Sequence, residues 1–314
     1  MITRLIAALA ALAAASGIVW YVAVKDPLPL FSAHIPPAAA PVMPSVAKAQ
    51  PQRSVGIVTY NIEIFDQACG CRPDLAVRYV QMSNPPDLTS AKTMIRNGAV
   101  PMLEIEPFTQ PLDGIIAGDD DTWLTAYAKD VRRLHAPVLL SFAPEPNGGW
   151  YPWGDREVSA GTYIRAWRHV VRVFRGAGAG NARWVWVVNR SYPGSAKLSS
   201  LWPGRAYVDM LGIDGYYERP TSSFGEVFSS TIRQLRAFTS RPILISETAA
   251  ASAAGQLRAL RQILAAEARF HLAGFVWFDI RQNAGIHHQD WRIETHPAAL
   301  AAYRSAVEHG RRGP

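Results

Sequence analysis

Glu145 has the setting in this sequence that most suggests chemistry. It follows a short apolar run, Val138 to Phe142, that is typical of a buried strand, and it stands between Pro144 and Pro146. A residue before proline is biased toward an extended backbone, and Pro144 has the same effect on Ala143. We therefore expect a carboxylate presented at a strand end, on an extended backbone with little freedom.

The residues after Glu145 supply an amide and flat apolar rings. Asn147 and two glycines lead into three aromatic side chains, Trp150, Tyr151 and Trp153. A sugar ring stacks its C–H face on aromatic side chains while its hydroxyls need polar partners, so this stretch favours a carbohydrate site. Packing of the same aromatics into the core behind a proline-rich turn is the alternative interpretation.

A second glutamate, Glu247, ends a later apolar run, Ile243 to Ser246. Two carboxylates that face each other across a substrate are the minimum for glycoside hydrolysis, one as the acid and base and the other as the nucleophile or base. The chemistry therefore depends on whether the fold brings Glu145 and Glu247 together.

The elements that must position them repeat along the chain. Eight short apolar runs are separated mostly by helical patterns, for example Leu124, Ala128, Val131 and Leu134. The runs are Ser54 to Tyr60, Val77 to Met82, Val100 to Ile105, Val138 to Ala143, Trp184 to Val188, Val208 to Ile213, Ile243 to Ser246 and Gly274 to Phe278. Eight strands alternating with helices predict an α/β fold, a (β/α)8 TIM barrel. A doubly wound sheet is less favoured because no G-x-G-x-x-G motif follows the first strand.

In such a barrel the chemistry lies at the carboxyl ends of the strands. Polar and aromatic residues stand at most of these ends, and each alone could be a hydrogen-bonded rim residue. They are Tyr60 and Asn61, Glu104 and Glu106, Glu145, Asn189, Asp214 with Tyr216 and Tyr217, Glu247, and Trp277 with Asp279. Strands 4 and 7 lie nearly opposite across the barrel mouth, so Glu145 and Glu247 are the pair best placed to act together.

The start of the sequence predicts a membrane anchor. The run from Leu5 to Val24 is uncharged and long enough to span a bilayer, and Arg4 before it favours a cytoplasmic N-terminus. A signal peptide cleaved after Ala15 is the alternative. A Pro- and Ala-rich linker follows, so we predict three parts: an anchor at 1–25, a linker at 26–52 and a catalytic domain at 53–314. The catalytic domain would then lie outside the cytoplasm, periplasmic or extracellular, or secreted if the segment is cleaved.

The charge distribution and the cysteines bear on which partners and metal sites the protein has. The 314 residues carry a net charge of +7, but the arginines are scattered along helix patterns, so we predict no nucleic-acid partner. The only cysteines, Cys69 and Cys71, are expected to form a disulfide within a loop rather than a metal site. His287, His288 and Asp290 resemble metal ligands, but a rim loop is the favoured interpretation. We predict no metal, no cofactor and a monomer.

Several motifs in order resemble family 26 of the glycoside hydrolases, which contains β-mannanases and endoglucanases. They are DTWLTAYAKDVRRLHAPVLLSFAPEPNGGWYPWG, AWRHVVRVFRGAGAGNARWVWVVN, YVDMLGIDGYY, RPILISETA, and GFVWFDI with DWRI, and the resemblance covers about Gly98 to Tyr303.

That resemblance implies a (β/α)8 barrel that works with retention. It would make Glu145 the proton donor, acid and base, and Glu247 the nucleophile. It would also make Trp150 a sugar-stacking surface, Tyr216 a support for the nucleophile and Trp277 the floor of the subsite at the cleavage point. Asn147, beside the acid, is expected to bind substrate.

One position departs from the family, which usually has histidine directly before the acid and base where this chain has Pro144. Proline has neither a side-chain donor nor an N–H group, so any hydrogen bond that this histidine gives the sugar or the glutamate is missing here, and we expect the loss to change specificity or lower the rate.

The sequence thus predicts a retaining endo-glycosidase acting on a β-mannan or β-glucan. A catalytically weakened carbohydrate-binding barrel and a transglycosidase acting on an exopolysaccharide are the alternatives. We expect apolar crowding from the prolines and tryptophans to raise the pKa of Glu145, and hydrogen bonds from Tyr216 or an arginine to keep Glu247 ionised.

Overall fold

The computed structural model of the chain describes residues 53–282 and 289–312. The predicted anchor and linker, as well as His287 and His288, lie outside these residues. Within them, no helix has the length and apolar character needed to cross a membrane. The predicted boundaries of the three parts stay predictions.

The described chain forms a closed barrel of eight parallel strands, each paired with its neighbours in sequence order and β8 paired back to β1. The strands are β1 Ser54–Val58, β2 Leu75–Gln81, β3 Val100–Glu106, β4 Val138–Phe142, β5 Ala182–Asn189, β6 Met210–Asp214, β7 Ile243–Thr248 and β8 Leu272–Phe278. The (β/α)8 prediction is confirmed, and every predicted apolar run overlaps a strand.

α-Helices lie in most connections between the strands and after the last strand, whereas the connection from β5 to β6 has two short 3-10 turns, Leu198–Ser200 and Arg205–Tyr207. They are α1 Ile62–Cys69, α2 Thr89–Arg96, α3 Leu112–Ala117, α4 Asp121–Arg133, α5 Ala160–Gly176, α6 Ser230–Arg236, α7 Ala253–Phe270 and α8 Pro297–Arg312. The apolar stripe of α4 packs inward as its spacing predicts, because Leu124, Ala128 and Val131 are fully buried.

Closure of the barrel depends on Gly274 in β8. Its φ of +140° is one that side chains rarely adopt, and a Cβ there would lie 1.9 Å from the carbonyl oxygen of Ser54 in β1. Gly274 and Ser54 are register partners, so the glycine lets the last strand approach the first.

The two cysteines form a disulfide at the end of α1. Cys69 is the last residue of the helix, and Gly70 caps it with a left-handed φ of 62° before Cys71. The predicted disulfide is confirmed, although Cys69 belongs to the helix rather than to a loop, and the bond fixes the start of the connection from α1 to β2.

Candidate active site

A cavity of about 340 Å³ opens at the carboxyl ends of the strands. Both predicted catalytic glutamates line it, and so do residues from β1, β2, β3 and β6. The lining residues include Tyr60, Arg78, Tyr79, Gln81, Asn84, Glu104, Glu106, Pro144, Glu145, Tyr151, Asp214 and Glu247. The barrel thus brings Glu145 and Glu247 to one cavity, as their strand positions predict.

The backbone that presents Glu145 differs from the prediction. Ala143 and Glu145 have φ values of 46° and 54°, in the left-handed region rather than the extended one. The expectation from Pro144 and Pro146 was therefore wrong for both residues. Positive φ is uncommon for residues other than glycine and often occurs at functional sites.

Tertiary hydrogen bonds explain why the local preference of the prolines is overridden. The Ala143 N–H donates to Ile105 O on β3 (2.9 Å), and the Glu145 N–H donates to Val187 O on β5 (3.0 Å). The Trp153 indole donates to the intervening Pro144 carbonyl at 2.6 Å. The segment beyond β4 is therefore fixed to both neighbouring strands, which compensates for the strained backbone.

The Glu145 side chain accepts one N–H bond on each oxygen. Trp150 Nε1 donates to Oε2 at 2.8 Å, and Asn189 Nδ2 donates to Oε1. The residue is only 4 % exposed. Burial, together with the nearby Glu247, raises the pKa of Glu145 to about 8, although the hydrogen bonds from Asn189 and Trp150 act in the opposite direction.

A pKa near 8 keeps Glu145 largely protonated at neutral pH, as a general acid requires. The predicted cause is correct in part. Burial raises the pKa as expected, but Trp150 acts in the opposite direction because its indole N–H favours the charged carboxylate.

Asn147 positions Asn189 rather than lying open in the cavity. Its Nδ2 donates to Asn189 O and its Oδ1 accepts the Asn189 N–H, both at 2.9 Å, and the side chain is fully buried. This clamp fixes the end of β5, from which Asn189 reaches Glu145. The expected contact of Asn147 with substrate stays a prediction.

The aromatic residues after Glu145 divide between the core and the site. Trp153 is 1 % exposed and stacks on Tyr151 at 4.5 Å, so for Trp153 the core-packing interpretation is correct. Trp150 is half-buried and stacks on Tyr192 with ring centroids 6.0 Å apart. A Cβ at Gly148 would lie 2.3 Å from the Trp150 ring, so the glycine lets the indole fold back toward Glu145. A stacking role for Trp150 toward sugar stays a prediction.

Glu247 is surrounded by phenol hydroxyls. The Tyr79 hydroxyl donates to its Oε1. The Tyr216 hydroxyl lies close enough to lower the pKa of Glu247, but it has no well-aligned hydrogen bond within the described chain. Burial still raises the pKa of Glu247, against the opposing contacts of Tyr216 and Tyr79. Tyr79 is therefore a partner of Glu247 that the sequence did not predict, and the expected support from Tyr216 stays a prediction.

Three further carboxylic acids lie near the pair. Glu104 and Glu106 on β3 are 4 % and 7 % exposed, and Asp214 at the end of β6 accepts a 2.6 Å bond from Ser246 Oγ. Burial raises the pKa of Glu106 to about 8 and those of Glu104 and Asp214 well above the usual range, with added repulsion from Glu247. Because so many close acids do not all ionise together, these raised pKa values favour protonated carboxyls among them at neutral pH.

Pro144 and Trp277 are two further residues that the sequence places at the site. Pro144 lines the cavity where the family usually has histidine. Trp277 is fully buried, and its indole N–H donates to Trp291 O at 3.1 Å. Its predicted role as the floor of the cleavage subsite stays a prediction.

The predicted absence of a metal site stays an expectation. Within residues 53–282 and 289–312, no group of three or more His, Cys, Asp or Glu side chains is arranged to hold a metal ion. Asp290, one of the suspected ligands, instead forms a 2.6 Å ion pair with Arg292.

The sequence profile of "Glycosyl hydrolase family 26" matches residues 120–306, which is more than half of the chain and contains both glutamates. The chain belongs to glycosyl hydrolase family 26. Endoglucanase H of Acetivibrio thermocellus is 32% identical to this family 26 chain over 272 residues, which is 81% of the chain. The match spans only 29% of the length of Endoglucanase H.

Solved structures share the fold at much lower identity. A mannanase of Bacillus subtilis is 15% identical with a TM-score of 0.61, covering 82% of this family 26 chain and 86% of its own. A β-mannanase from a symbiotic protist of the termite Reticulitermes speratus, complexed with gluco-manno-oligosaccharide, is 14% identical with the same TM-score, covering 83% and 88%. A modular endo-β-1,4-mannanase of Cellulomonas fimi is 16% identical with a TM-score of 0.60, covering 82% and 70%.

Sequence reasoning did not assign roles to Tyr79 and Asn189, the residues that contact the two glutamates. Asn189 had a signal, since it stands at the end of a strand beside Glu145. Tyr79 lies within the β2 run, and no sequence signal marked it, because the direction of its side chain depends on the strand register.

Proposed function

We propose that this chain is a retaining, endo-acting glycoside hydrolase that cleaves a β-mannan or β-glucan outside the cytoplasm. The observation that carries the proposal is the pair Glu145 and Glu247, which line one cavity in a chain of family 26 and have different hydrogen-bond partners. The names of the similar proteins, an endoglucanase and several mannanases, support the substrate class.

In the first step, protonated Glu145 gives its proton to the glycosidic oxygen while Glu247 attacks the anomeric carbon. The bond between that carbon and the leaving oxygen breaks, and a covalent glycosyl ester forms on Glu247. The pKa of about 8 suits Glu145 to this donation at neutral pH.

In the second step, the Glu145 carboxylate removes a proton from water, and that water attacks the anomeric carbon. The ester bond breaks, Glu247 returns to its carboxylate form, and the configuration at the anomeric carbon is retained. The N–H bonds from Asn189 and Trp150 favour the charged form of Glu145 that this step needs.

The cellular location is part of the proposal. The disulfide between Cys69 and Cys71 suits an oxidising compartment, and the uncharged run from Leu5 to Val24 suits a membrane anchor. Identification of the mature N-terminus by mass spectrometry tests the anchor, because a protein that begins between Ser16 and Val24 would have lost it.

The test of the activity incubates the full chain with β-mannan, mixed-linkage β-glucan, cellulose and an exopolysaccharide, and measures new reducing ends. We expect new reducing ends with at least one polymer, a steep fall in chain length typical of endo cleavage, and no activity in the Glu247→Ala variant. Chain transfer without net reducing ends would indicate a transglycosidase, whereas binding without turnover would indicate a carbohydrate-binding barrel. Both results would contradict hydrolysis.

A further inference from the structure

Arginines that are scattered along the sequence come together at the end of the barrel opposite the cavity. Each helix runs back antiparallel to the strand before it, so helix ends and strand starts share this end, away from the strand ends that form the site. Three of its segments, 172–183, 203–209 and 233–242, lead into β5, β6 and β7 and carry seven arginines but a single acid, Asp209. The arginines are Arg172, Arg175, Arg183, Arg205, Arg233, Arg236 and Arg241.

The three segments contact one another, because β5, β6 and β7 are neighbours in the barrel. Arg175 Nη2 donates to Ala206 O at 2.7 Å, and Arg241 Nη2 donates to Arg205 O at 2.8 Å. Arg236 Nη1 donates to Arg241 O at 2.5 Å. The arginines therefore lie on one continuous surface, which we call the basic end.

The positive charge of the basic end is not neutralised by the described part of the chain. Within residues 53–282 and 289–312, none of its seven arginines forms an ion pair. Asp209 accepts the Trp184 N–H at 2.9 Å. The side chains of Arg172, Arg175 and Arg205 are exposed, as is that of Arg233. The surface thus presents a cluster of accessible cations to solvent.

Helix ends account for only part of this cluster. A cation in the last turn stabilises a helix, and Arg175 ends α5 in this way, as Arg233 and Arg236 end α6. Arg183 and Arg241 lie outside the helices, in β5 and directly before β7. Stabilisation of helices therefore does not explain the whole excess of positive charge.

The chain also enters the barrel at this end. β1 begins at Ser54, and Arg53 directly before it is exposed. The predicted linker at 26–52 therefore joins the domain at the same end as the arginines, whereas the cavity opens at the other end. A linker of that length reaches at most about 90 Å, so the proposed anchor by itself leaves the orientation of the domain open.

We propose that the basic end binds an anionic phospholipid bilayer, so that the cavity faces away from the membrane and toward the polymer. Guanidinium groups bind phosphate oxygens through paired N–H donors. An anionic bilayer attracts clustered basic residues, and the proposed anchor keeps this surface within reach of the lipid. The inference rests on the membrane location in the proposed function and adds an orientation to it.

The test measures chemical labelling of arginines in the full chain. Nanodiscs contain phosphatidylcholine alone or with about three parts in ten of phosphatidylglycerol, and phenylglyoxal modifies the accessible guanidiniums, which mass spectrometry then quantifies. We expect labelling of Arg172, Arg205 and Arg233 to fall by about threefold or more in the anionic discs, and about 1 M salt, which shortens the screening length to about 3 Å, should restore it. Arg156, exposed in the connection from β4 to α5, should label equally in both discs.

Matched variants test whether the charges cause the shielding. Arg172→Gln/Arg205→Gln changes two exposed side chains, so the fold and the hydrolysis of 2,4-dinitrophenyl β-glycosides should stay unchanged while Arg233 loses most of its shielding. Arg156→Gln/Arg219→Gln removes the same charge from the cavity end, and in this control Arg233 should stay shielded.

Three results would overturn the inference. One is equal labelling of the basic end in both kinds of disc, and another is shielding that survives high salt or the Arg172→Gln/Arg205→Gln change. The third is shielding by soluble heparin with none by anionic lipid, which would assign the basic end to an acidic polymer. Labelling does not depend on turnover, so a shielded chain that cleaves no polymer would contradict the proposed hydrolysis while supporting this inference.

Discussion

Glu145 and Glu247 are both carboxylates beside one cavity, yet the groups around them differ. Glu145 follows β4 on a left-handed backbone and accepts N–H bonds from Asn189 and Trp150. Glu247 is part of β7 and accepts an O–H bond from Tyr79, with Tyr216 beside it. The difference supports different proposed roles for the two glutamates, since the same side chain can serve as acid or nucleophile according to its partners.

The phenol partners suit a nucleophile. Burial and the nearby Glu247 raise the pKa of Tyr79 well above its usual range, so its hydroxyl stays a donor at any working pH. Glu247 must be ionised to attack, and a permanent donor stabilises that ionised form. The proposed acid instead has a pKa near 8, so it can hold a proton and release it within the working range.

The largest expected effect is that of Glu247→Ala. In the proposed mechanism this residue forms the covalent bond in the first step, so its loss should lower kcat/KM by about 10⁴-fold or more on every substrate, including activated aryl glycosides. Release of dinitrophenol measures this, and circular dichroism verifies the fold of the variant. Substantial residual activity on the aryl glycosides would contradict the role of nucleophile.

Glu145→Ala should have a smaller and more selective effect. Polysaccharide cleavage should fall by about 10²- to 10⁴-fold because a poor leaving group needs the proton, whereas the first step on a dinitrophenyl glycoside should be spared. A burst of dinitrophenol should appear, and azide should restore turnover with a β-glycosyl azide as the product. Azide rescue at Glu247 with an α-azide product, and none at Glu145, would reverse the two roles.

The strand order and the two glutamates could be predicted because each depends on local pattern. Apolar runs mark the strands, and a polar residue at or just beyond the end of a run, such as Asn189 or Glu145, falls at the carboxyl end whatever the register. The direction of Tyr79 could not be predicted, because a shift of one residue in the register of β2 would turn it away from Glu247.

The prediction of an extended backbone at Glu145 was wrong for a related reason. Local rules for residues before proline apply to a free chain, but bonds from Ala143 to β3 and from Glu145 to β5 determine the observed φ values. Asn147 is similar. Its position beside the acid suggested substrate, whereas only the fold reveals that the β5 backbone at Asn189 uses both ends of its amide.

Tyr79→Phe tests the surroundings of the nucleophile. Removal of the hydroxyl takes one donor from Glu247, so kcat/KM should fall by about 10- to 100-fold. The Tyr79 contact lowers the pKa of Glu247, and its loss should therefore raise that pKa. The acidic limb of the pH profile, which reports ionisation of the nucleophile, should move to higher pH.

Tyr127→Phe is the matched control for this variant. Tyr127 is a fully buried tyrosine on α4 whose hydroxyl has no hydrogen-bond partner within the described chain, and it does not line the cavity. We expect Tyr127→Phe to keep the pH profile of the wild type. An unmoved acidic limb in Tyr79→Phe would mean that the hydroxyl does not stabilise the ionised nucleophile.

The smallest expected effect is that of Trp150→Phe, which tests the acid. The indole N–H bond lowers the pKa of Glu145, so its loss should raise the pKa above the present value of about 8. Because the acid acts when protonated, the alkaline limb of kcat/KM should move to higher pH, with a fall of only a few-fold at neutral pH because the phenyl ring can still stack on sugar. Trp202→Phe is the control, because Trp202 packs on Trp186 and Phe238 and does not line the cavity, and it should leave both limbs in place. A shift of the acidic limb instead would mean that Trp150 acts on Glu247, and it would reverse the assignment of the two surroundings.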